Sequence, residues 1–211
     1  MIKIVLASSS PRRKDLLKSL GVRFTVAENT FEEIVHTYKS PQRYVMENAL
    51  GKARSAAHEY KNALIIGADT VVVCKDKIIG KPRNYKEAFK ILRILQGRVH
   101  SVYTGLSLID TENNSILTDY AKTQVTMRPL DSRETRLYLE SIDPFDKAGA
   151  YAIQGTGSII VEKIYGCYYN VVGFPVAKLE EMMRKLGMTL FDYIQHGSVA
   201  KKRSEKYTKF I

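Results

Sequence analysis

The chain opens on a short apolar run, Ile2-Lys3-Ile4-Val5-Leu6-Ala7, which empties into Ser8-Ser9-Ser10 and then into a helix-like pattern from Pro11 to Leu20, closed by Gly21. A β-branched run bounded by small polar residues predicts a buried strand, and a proline at the first helical position marks a helix start. The alternation continues: Arg23 to Ala27 predicts a second strand, and Gln42 to Tyr60 a long helix with Val45, Ala49, Ala53 and Ala56 on one face. Ala63 to Gly67 and Thr70 to Cys74 are apolar runs interrupted at Ala68-Asp69, and Lys75-Asp76-Lys77 turns the chain toward Ile78-Ile79. A helix from Tyr85 to Leu95 precedes two long alternating segments, Val99 to Ile109 and Ser115 to Met127, which predict an antiparallel hairpin closed at Glu112-Asn113-Asn114. A helix from Ser132 to Ser141, a loop of small and polar residues from Asp143 to Gly157, a strand from Ser158 to Ile164 and a helix from Phe174 to Leu186 complete the body. The pattern predicts a mixed α/β fold with a central cleft.

Composition narrows the class. With 211 residues, 45% of them hydrophobic, the chain can bury a proper core, as one large domain or two tightly joined lobes. We take residues 1–190 as the body and 191–211 as a basic extension. No run approaches the length that spans a bilayer and no basic, then apolar, leader opens the chain, which predicts a soluble cytoplasmic protein with no membrane partner. Cys74 and Cys167 make no disulfide framework, and Cys74, inside an apolar run, reads as a buried thiol. The net charge of +11 invites a nucleic-acid reading, yet the last eleven residues alone carry +4. Elsewhere the basic residues fall singly, with no zinc-finger, RRM-like or helix-turn-helix signature among them, so nucleic acid is not the expected partner. Excess positive charge also suits a small polyphosphate.

Four places carry chemistry. Ser8, Ser9 and Ser10 lie where a helix dipole is positive, and Arg12 and Arg13 add two guanidinium forks, which fits either a phosphate site or a serine-capped helix with solvated arginines. Asp69 interrupts an apolar strand pattern. An unpaired carboxylate there would cost several kcal/mol to bury, so it calls for a metal, a lysine or a reacting water, unless backbone N–H groups at a strand end satisfy it. Lys81, between Gly80 and Pro82, and Lys52 and Arg54, on the long helix, stand where a polyphosphate would want them. The small-residue run Asp146 to Gly155, with one aromatic and one amide, Gln154, can bring donors to a base edge or be an ordinary surface loop.

In order, the blocks Ala7–Arg13 (ASSSPRR), Gly67–Thr70 (GADT), Gly80–Pro82 (GKP), Gly97–Gly105 (GRVHSVYTG), Asp146–Gly155 (DKAGAYAIQG) and Tyr169–Pro175 (YNVVGFP) resemble the Maf family of nucleotide pyrophosphatases, over about Ile2 to Leu186. The resemblance implies an elongated, twisted mixed sheet in two lobes flanked by helices, related to the inosine triphosphate pyrophosphatases. It implies cleavage of a nucleoside triphosphate to monophosphate and diphosphate with a divalent metal, Mg2+ or Mn2+. Asp69 matches the family's proton acceptor. Of Glu32 and Glu33, Glu32 fits better the spacing of an acidic residue that handles metal or water, so Asp69 and Glu32 are the expected metal ligands. Arg12, Thr70 and Gln154 are similar to the branch acting on dTTP and UTP, whereas the branch that prefers 7-methyl-GTP carries a bulky aromatic, Gln and Glu there. Cys167 departs from the family, which tends to show an acidic residue in its place, and the basic tail has no counterpart. The expected set is therefore Asp69, Lys52, Lys81 and Glu32 for catalysis, with Ser8, Arg12, Arg13, Thr70 and Gln154 on the substrate. A 7-methyl-GTP pyrophosphatase and a non-catalytic nucleotide-binding regulator of septum formation are the alternatives, and a homodimer is left open.

Overall fold

A computed structural model describes residues 2–28, 30–34 and 40–195 of the chain. The basic residues Lys201 to Lys209, on which a nucleic-acid reading would rest, lie outside the described residues. Strands β1 (Lys3–Ala7), β2 (Thr25–Val26), β3 (Ala63–Cys74), β4 (Lys77–Ile79), β5 (Val99–Asp110), β6 (Ser115–Met127) and β7 (Val161–Tyr165) form one mixed sheet. Its order is β2-β1-β3-β5-β6-β7, with β4 added to β3. The helices are α1 (Pro11–Ser19), α2 (Pro41–Ala57), α3 (Tyr85–Leu95), α4 (Ser132–Glu140), the short α5 (Gly157–Ile160) and α6 (Tyr168–Val172), and α7 (Val176–Lys185).

β3 is the spine. β1 runs parallel to it and β5 antiparallel, and its residues alternate between two faces. Leu64, Ile66 and Ala68 join Leu106 and Leu108 of β5, Leu17 of α1 and Leu179, Met182 and Met183 of α7 in one core. On the same face, Val72 and Cys74 join Val102 of β5 and Ala88, Ile91, Leu92 and Leu95 of α3 in a second. Between the two cores stand Thr70 and its cross-strand partner Thr104. A polar seam thus divides one face into two apolar halves.

The opposite face is covered by α2. Val45, Ala49, Ala53 and Ala56 are buried to 1% exposure or less, and the short side chains let the helix sit close to the strands. At Gly67 a Cβ would overlap the Ala49 carbonyl, and at Gly105 that of Val45. Only glycine admits this approach, and it brings Lys52 of α2 within reach of Asp69.

Several elements differ from the sequence pattern. Ala68-Asp69 does not break the strand, because Asp69 keeps its register opposite Gly105 and its carboxylate finds a lysine. The segment read as a strand from Ser158 starts with the helical turn α5, fixed by bonds such as Gly157 N–H to the Gln154 carbonyl, and pairing begins at Val161. The second strand shrinks to two residues. α6 carried no periodic signal, and it ends at Gly173, whose φ of 104° closes the helix before Pro175. The 3-10 turn Leu190–Tyr193 lies across the expected body–tail boundary and buries Leu190 and Tyr193 in the first core.

Candidate active site

β1 pairs with β3 only as far as Ala7 opposite Gly67, and β4 joins the same edge only from Val72. Between them the β3 edge from Ala68 to Val71 is open, and the cleft lies there. It can therefore be reached from both faces of the sheet, by Asp69 from one and Thr70 from the other. The cleft is open to solvent and is lined by Ser8, Arg12, Asp69, Thr70, Lys81 and Gln154.

Arg13 closes the gap in the backbone ladder. One Nη donates to the otherwise open Ala68 carbonyl at 2.8 Å and to Ser8 Oγ at 2.9 Å, Nε donates to the Gly173 carbonyl at 2.8 Å, and the other Nη to Thr70 Oγ1 at 3.0 Å. All four acceptors are neutral and the residue is 8% exposed. Burial pulls its pKa down to about 10, so it stays charged at neutral pH. It ties β1, β3 and the end of α6 together while lining the cleft with its charge.

Lys52 Nζ donates to Asp69 Oδ1 at 2.6 Å and to Glu33 Oε1 at 2.7 Å. The lysine and Asp69 are buried, while the Glu33 side chain is 45% exposed. Burial pushes the Asp69 carboxyl above its ordinary range, with the Glu33 charge adding to this against the pull of Lys52 and Arg13. At Glu33 partial burial acts upward too, but the charge and hydrogen bond of Lys52, with Lys81 and Arg13, outweigh it and hold the group below its usual range. Two carboxylates sharing one ammonium are thereby split, one ready to ionise and one disposed to take a proton.

At the mouth, Arg12 holds the Asp146 carboxylate at 2.5 Å and its carbonyl at 3.0 Å, and Lys147 holds the other carboxylate oxygen at 2.5 Å. These two cations hold Asp146 below its ordinary range against partial burial, which acts the other way, the Lys147 hydrogen bond being the larger of their pulls. The Ser10 side chain makes no capping bond to α1, so the first turn of that helix keeps unpaired N–H groups at the cleft. Ser8 Oγ accepts from Ser10 N–H and Arg13 and still carries its own O–H. The Gln154 side chain and Lys81 line the cleft with no hydrogen-bond or ion-pair partner among the described residues.

A family model described as Maf-like protein matches residues 3–186. The chain belongs to the Maf family. Among curated Maf relatives, one from Thermoanaerobacter sp. (strain X514), described as a dTTP/UTP pyrophosphatase, is 48% identical over 87% of this chain and 96% of its own. Relatives of the same description from Dictyoglomus thermophilum and Clostridium botulinum (strain Kyoto / Type A2) are 47% and 44% identical, over 89% and 90% of this chain and 98% and 100% of theirs. The structure of a HAM1 protein from Coxiella burnetii aligns over 60% of this chain and 73% of its own at 21% identity, with a TM-score of 0.39.

In this Maf protein the cleft brings together Ser8, Arg12, Arg13, Lys52, Asp69, Thr70, Lys81 and Gln154. Glu32 is exposed and does not line it; Glu33 does. The difference is set by Phe31, whose ring lies where a side chain at Gly51 would be, so the loop is pinned on α2 with Glu33 over Lys52. The Thr70 hydroxyl is occupied by Arg13 and by Thr104 at 3.0 Å, so it braces the wall. The sequence reading gave no role to Asp146, Lys147 or Tyr151; Asp146 and Tyr151 line the cleft, and Lys147 is paired to Asp146. The first two carry a signal, an acid and a base side by side at the start of a small-residue loop.

For a divalent metal, the test is the donor set. Among the described residues no group of three or more His, Cys, Asp or Glu could hold an ion. Asp69 and Glu33 converge, and two carboxylates completed by phosphate oxygens and water are what Mg2+ or Mn2+ takes in nucleotide sites. Their donor type fits, and it is Glu33, not the expected Glu32, that shares the cleft and the Lys52 ammonium with Asp69.

Proposed function

We propose that this protein hydrolyses dTTP and UTP to the monophosphate and diphosphate, by in-line attack of water on the α-phosphorus. The relatives described as dTTP/UTP pyrophosphatases support the class, and the observation that carries the mechanism is the buried Asp69–Lys52 pair, joined from the solvent side by Glu33, at the open edge of β3. Asp69, raised by burial, accepts the proton of the attacking water, and Lys52 holds its carboxylate in place and stabilises the charge that develops. Asp69 and Glu33 would hold a divalent metal, Mg2+ or Mn2+, which supplies screening of the triphosphate and a lowered pKa for bound water. Ser8 O–H, the α1 N–H groups, Arg12 and Lys81 receive the phosphates, and the free Gln154 amide meets the base. Both cysteines are free thiols, which fits the reducing cytoplasm. Among the described residues no helix is long and apolar enough to cross a membrane.

The test is diphosphate release from dTTP, UTP, CTP, GTP and 7-methyl-GTP with Mg2+ or Mn2+, wild type beside Asp69→Asn. Release from dTTP and UTP that is lost in the folded variant supports the reading. Preferred release from 7-methyl-GTP moves the protein to the other branch, and no release from any of them leaves a nucleotide-binding regulator.

A further inference from the structure

The loop that carries Gln154 is held from behind by three buried rings. Tyr138 Oη accepts from Ala152 N–H at 3.1 Å. Tyr151, buried in the cleft wall, meets His100 of β5 edge to face at 5.3 Å between centroids, and His100 Nε2 and Tyr151 Oη lie 2.7 Å apart. His100 is 3% exposed, and its other ring nitrogen, Nδ1, has no hydrogen-bond partner. Whichever tautomer is present, one buried hydrogen or lone pair is unsatisfied. An apolar ring of similar size would remove that orphan nitrogen but leave the buried Tyr151 hydroxyl without its partner, so what the imidazole supplies at this position is the bond to Tyr151.

The backbone before Tyr151 is correspondingly tight. Gly149 and Ala150 both have left-handed φ, 74° and 58°, and the second is disfavoured for a residue with a side chain. A Cβ at Gly149 would stand 2.9 Å from Val72 Cγ2. Such a turn persists only where its surroundings over-determine it. Burial lowers the His100 pKa to about 4 and raises that of Tyr151, so at neutral pH both are uncharged and their bond is a neutral one.

We propose that His100 is a positioning residue for base recognition: by anchoring Tyr151 it fixes the loop Ala148–Gln154 and therefore the place where the Gln154 amide meets the nucleobase. The inference rests on the reading of Gln154 as base-facing. Since His100 touches neither the phosphates nor Asp69, its effect falls on affinity and discrimination, and the chemical step is spared.

The experiment compares wild type, His100→Phe, His100→Gln, Tyr151→Phe and the Phe/Phe double variant in dTTP, UTP and CTP hydrolysis. Calorimetric binding of the non-hydrolysable α,β-imido-dUTP and thermal melting accompany it. Each Phe variant should raise KM and Kd about tenfold, the size of one lost buried hydrogen bond. kcat should hold within about threefold, as uniform binding loss requires, and the preference for dTTP over CTP should narrow. Gln, which can place a donor or acceptor near the position of Nε2, should restore most of the loss, and the double variant should be no worse than either single one. Unchanged Kd and preference in folded variants overturn the inference, as do additive effects or losses that follow melting temperature alone. Should His100→Phe fail to fold, Tyr151→Phe carries the test by removing one oxygen. Wild type that binds the analogue without hydrolysing any triphosphate defeats the pyrophosphatase reading and leaves this inference to the binding arm; wild type that does not bind it defeats both.

Discussion

Replacing Lys52 by Met removes the one ammonium that the buried Asp69 carboxylate contacts, and the structure sets the size of the consequence. The two side chains are 6% and 8% exposed and their atoms 2.6 Å apart. Breaking a buried pair by deleting one partner costs about 3–5 kcal/mol. An independent ceiling comes from protonation: neutralising an Asp whose unfolded pKa is about 3.9 costs about 4 kcal/mol at pH 7 and about 1.5 kcal/mol at pH 5. The half-exposed Glu33 adds less than about 1 kcal/mol. The sign follows from the raised folded pKa of Asp69, further raised once Lys52 is gone. A folded state that binds the proton more tightly than the unfolded one loses stability as pH rises, so the penalty must grow from pH 5 to pH 7. Urea unfolding of wild type, Lys52→Met, Asp69→Asn and the double variant at both pH values reads it. The loss at pH 7 should be about 3–4 kcal/mol, smaller by more than half at pH 5, and largely removed in the Asp69→Asn background. A penalty under about 1 kcal/mol, one independent of pH, or one that survives in Asp69→Asn refutes the reasoning.

Three further outcomes are expected. Gly105→Ala must push α2 off the sheet, where a Cβ overlaps the Val45 backbone, and should cost upward of about 2 kcal/mol in urea unfolding, while Gly80→Ala, in open space, should stay within about 0.5 kcal/mol. His100, held down to about pH 4, should make the fold lose up to about 3 kcal/mol as pH falls from 6.5 to 4, since the unfolded chain takes up the proton first; stability at pH 7 and pH 4.5 in wild type and His100→Phe checks it, and an equal decline in both defeats it. Asp146→Asn frees Arg12 and Lys147, so product inhibition by dTMP should tighten by about threefold or more, read as Ki, and an unchanged Ki counts against a competing carboxylate.

Much of this was legible from alternation alone. The apolar positions of β3 and β5 announce two faces, and Asp69 announces itself as the exception to them. What alternation cannot carry is which strand lies beside which. β1 enters the sheet between β2 and β3, and the open edge that becomes the cleft is a consequence of where β1 stops and β4 begins, a property of pairing and not of any segment. Adjacent candidates fail for a similar reason. Arg12 and Arg13 are neighbours on one helix, about 100° apart around its axis, and only the tertiary packing sends the second inward to neutral acceptors. Glu32 and Glu33 sit in a loop without period, and the residue that chooses between them is Gly51, a glycine in a helix interior where glycine is unfavourable. Its presence was the available signal: something had to lie on that helix face, and Phe31 does.

The charges of the cleft, taken together, bear on turnover as well as binding. Arg13 is committed to four neutral acceptors, Lys52 to two carboxylates, and Arg12 and Lys147 to Asp146. Lys81 makes no hydrogen bond or close ion pair among the described residues, and its charge reaches Glu33 only across the cleft. Under the proposed function a phosphate enters by exchange, taking Arg12 from Asp146, and gains only the difference between itself and one carboxylate. For a triphosphate, with several charges spread over the helix N-terminus, Lys81 and Arg12, that difference is large. For a monophosphate it is small, and Asp146 reclaims the arginine. On that proposal the carboxylate that competes with every anion at the mouth competes best against the product, which is what an enzyme needs when substrate and product share a base and differ only in phosphate.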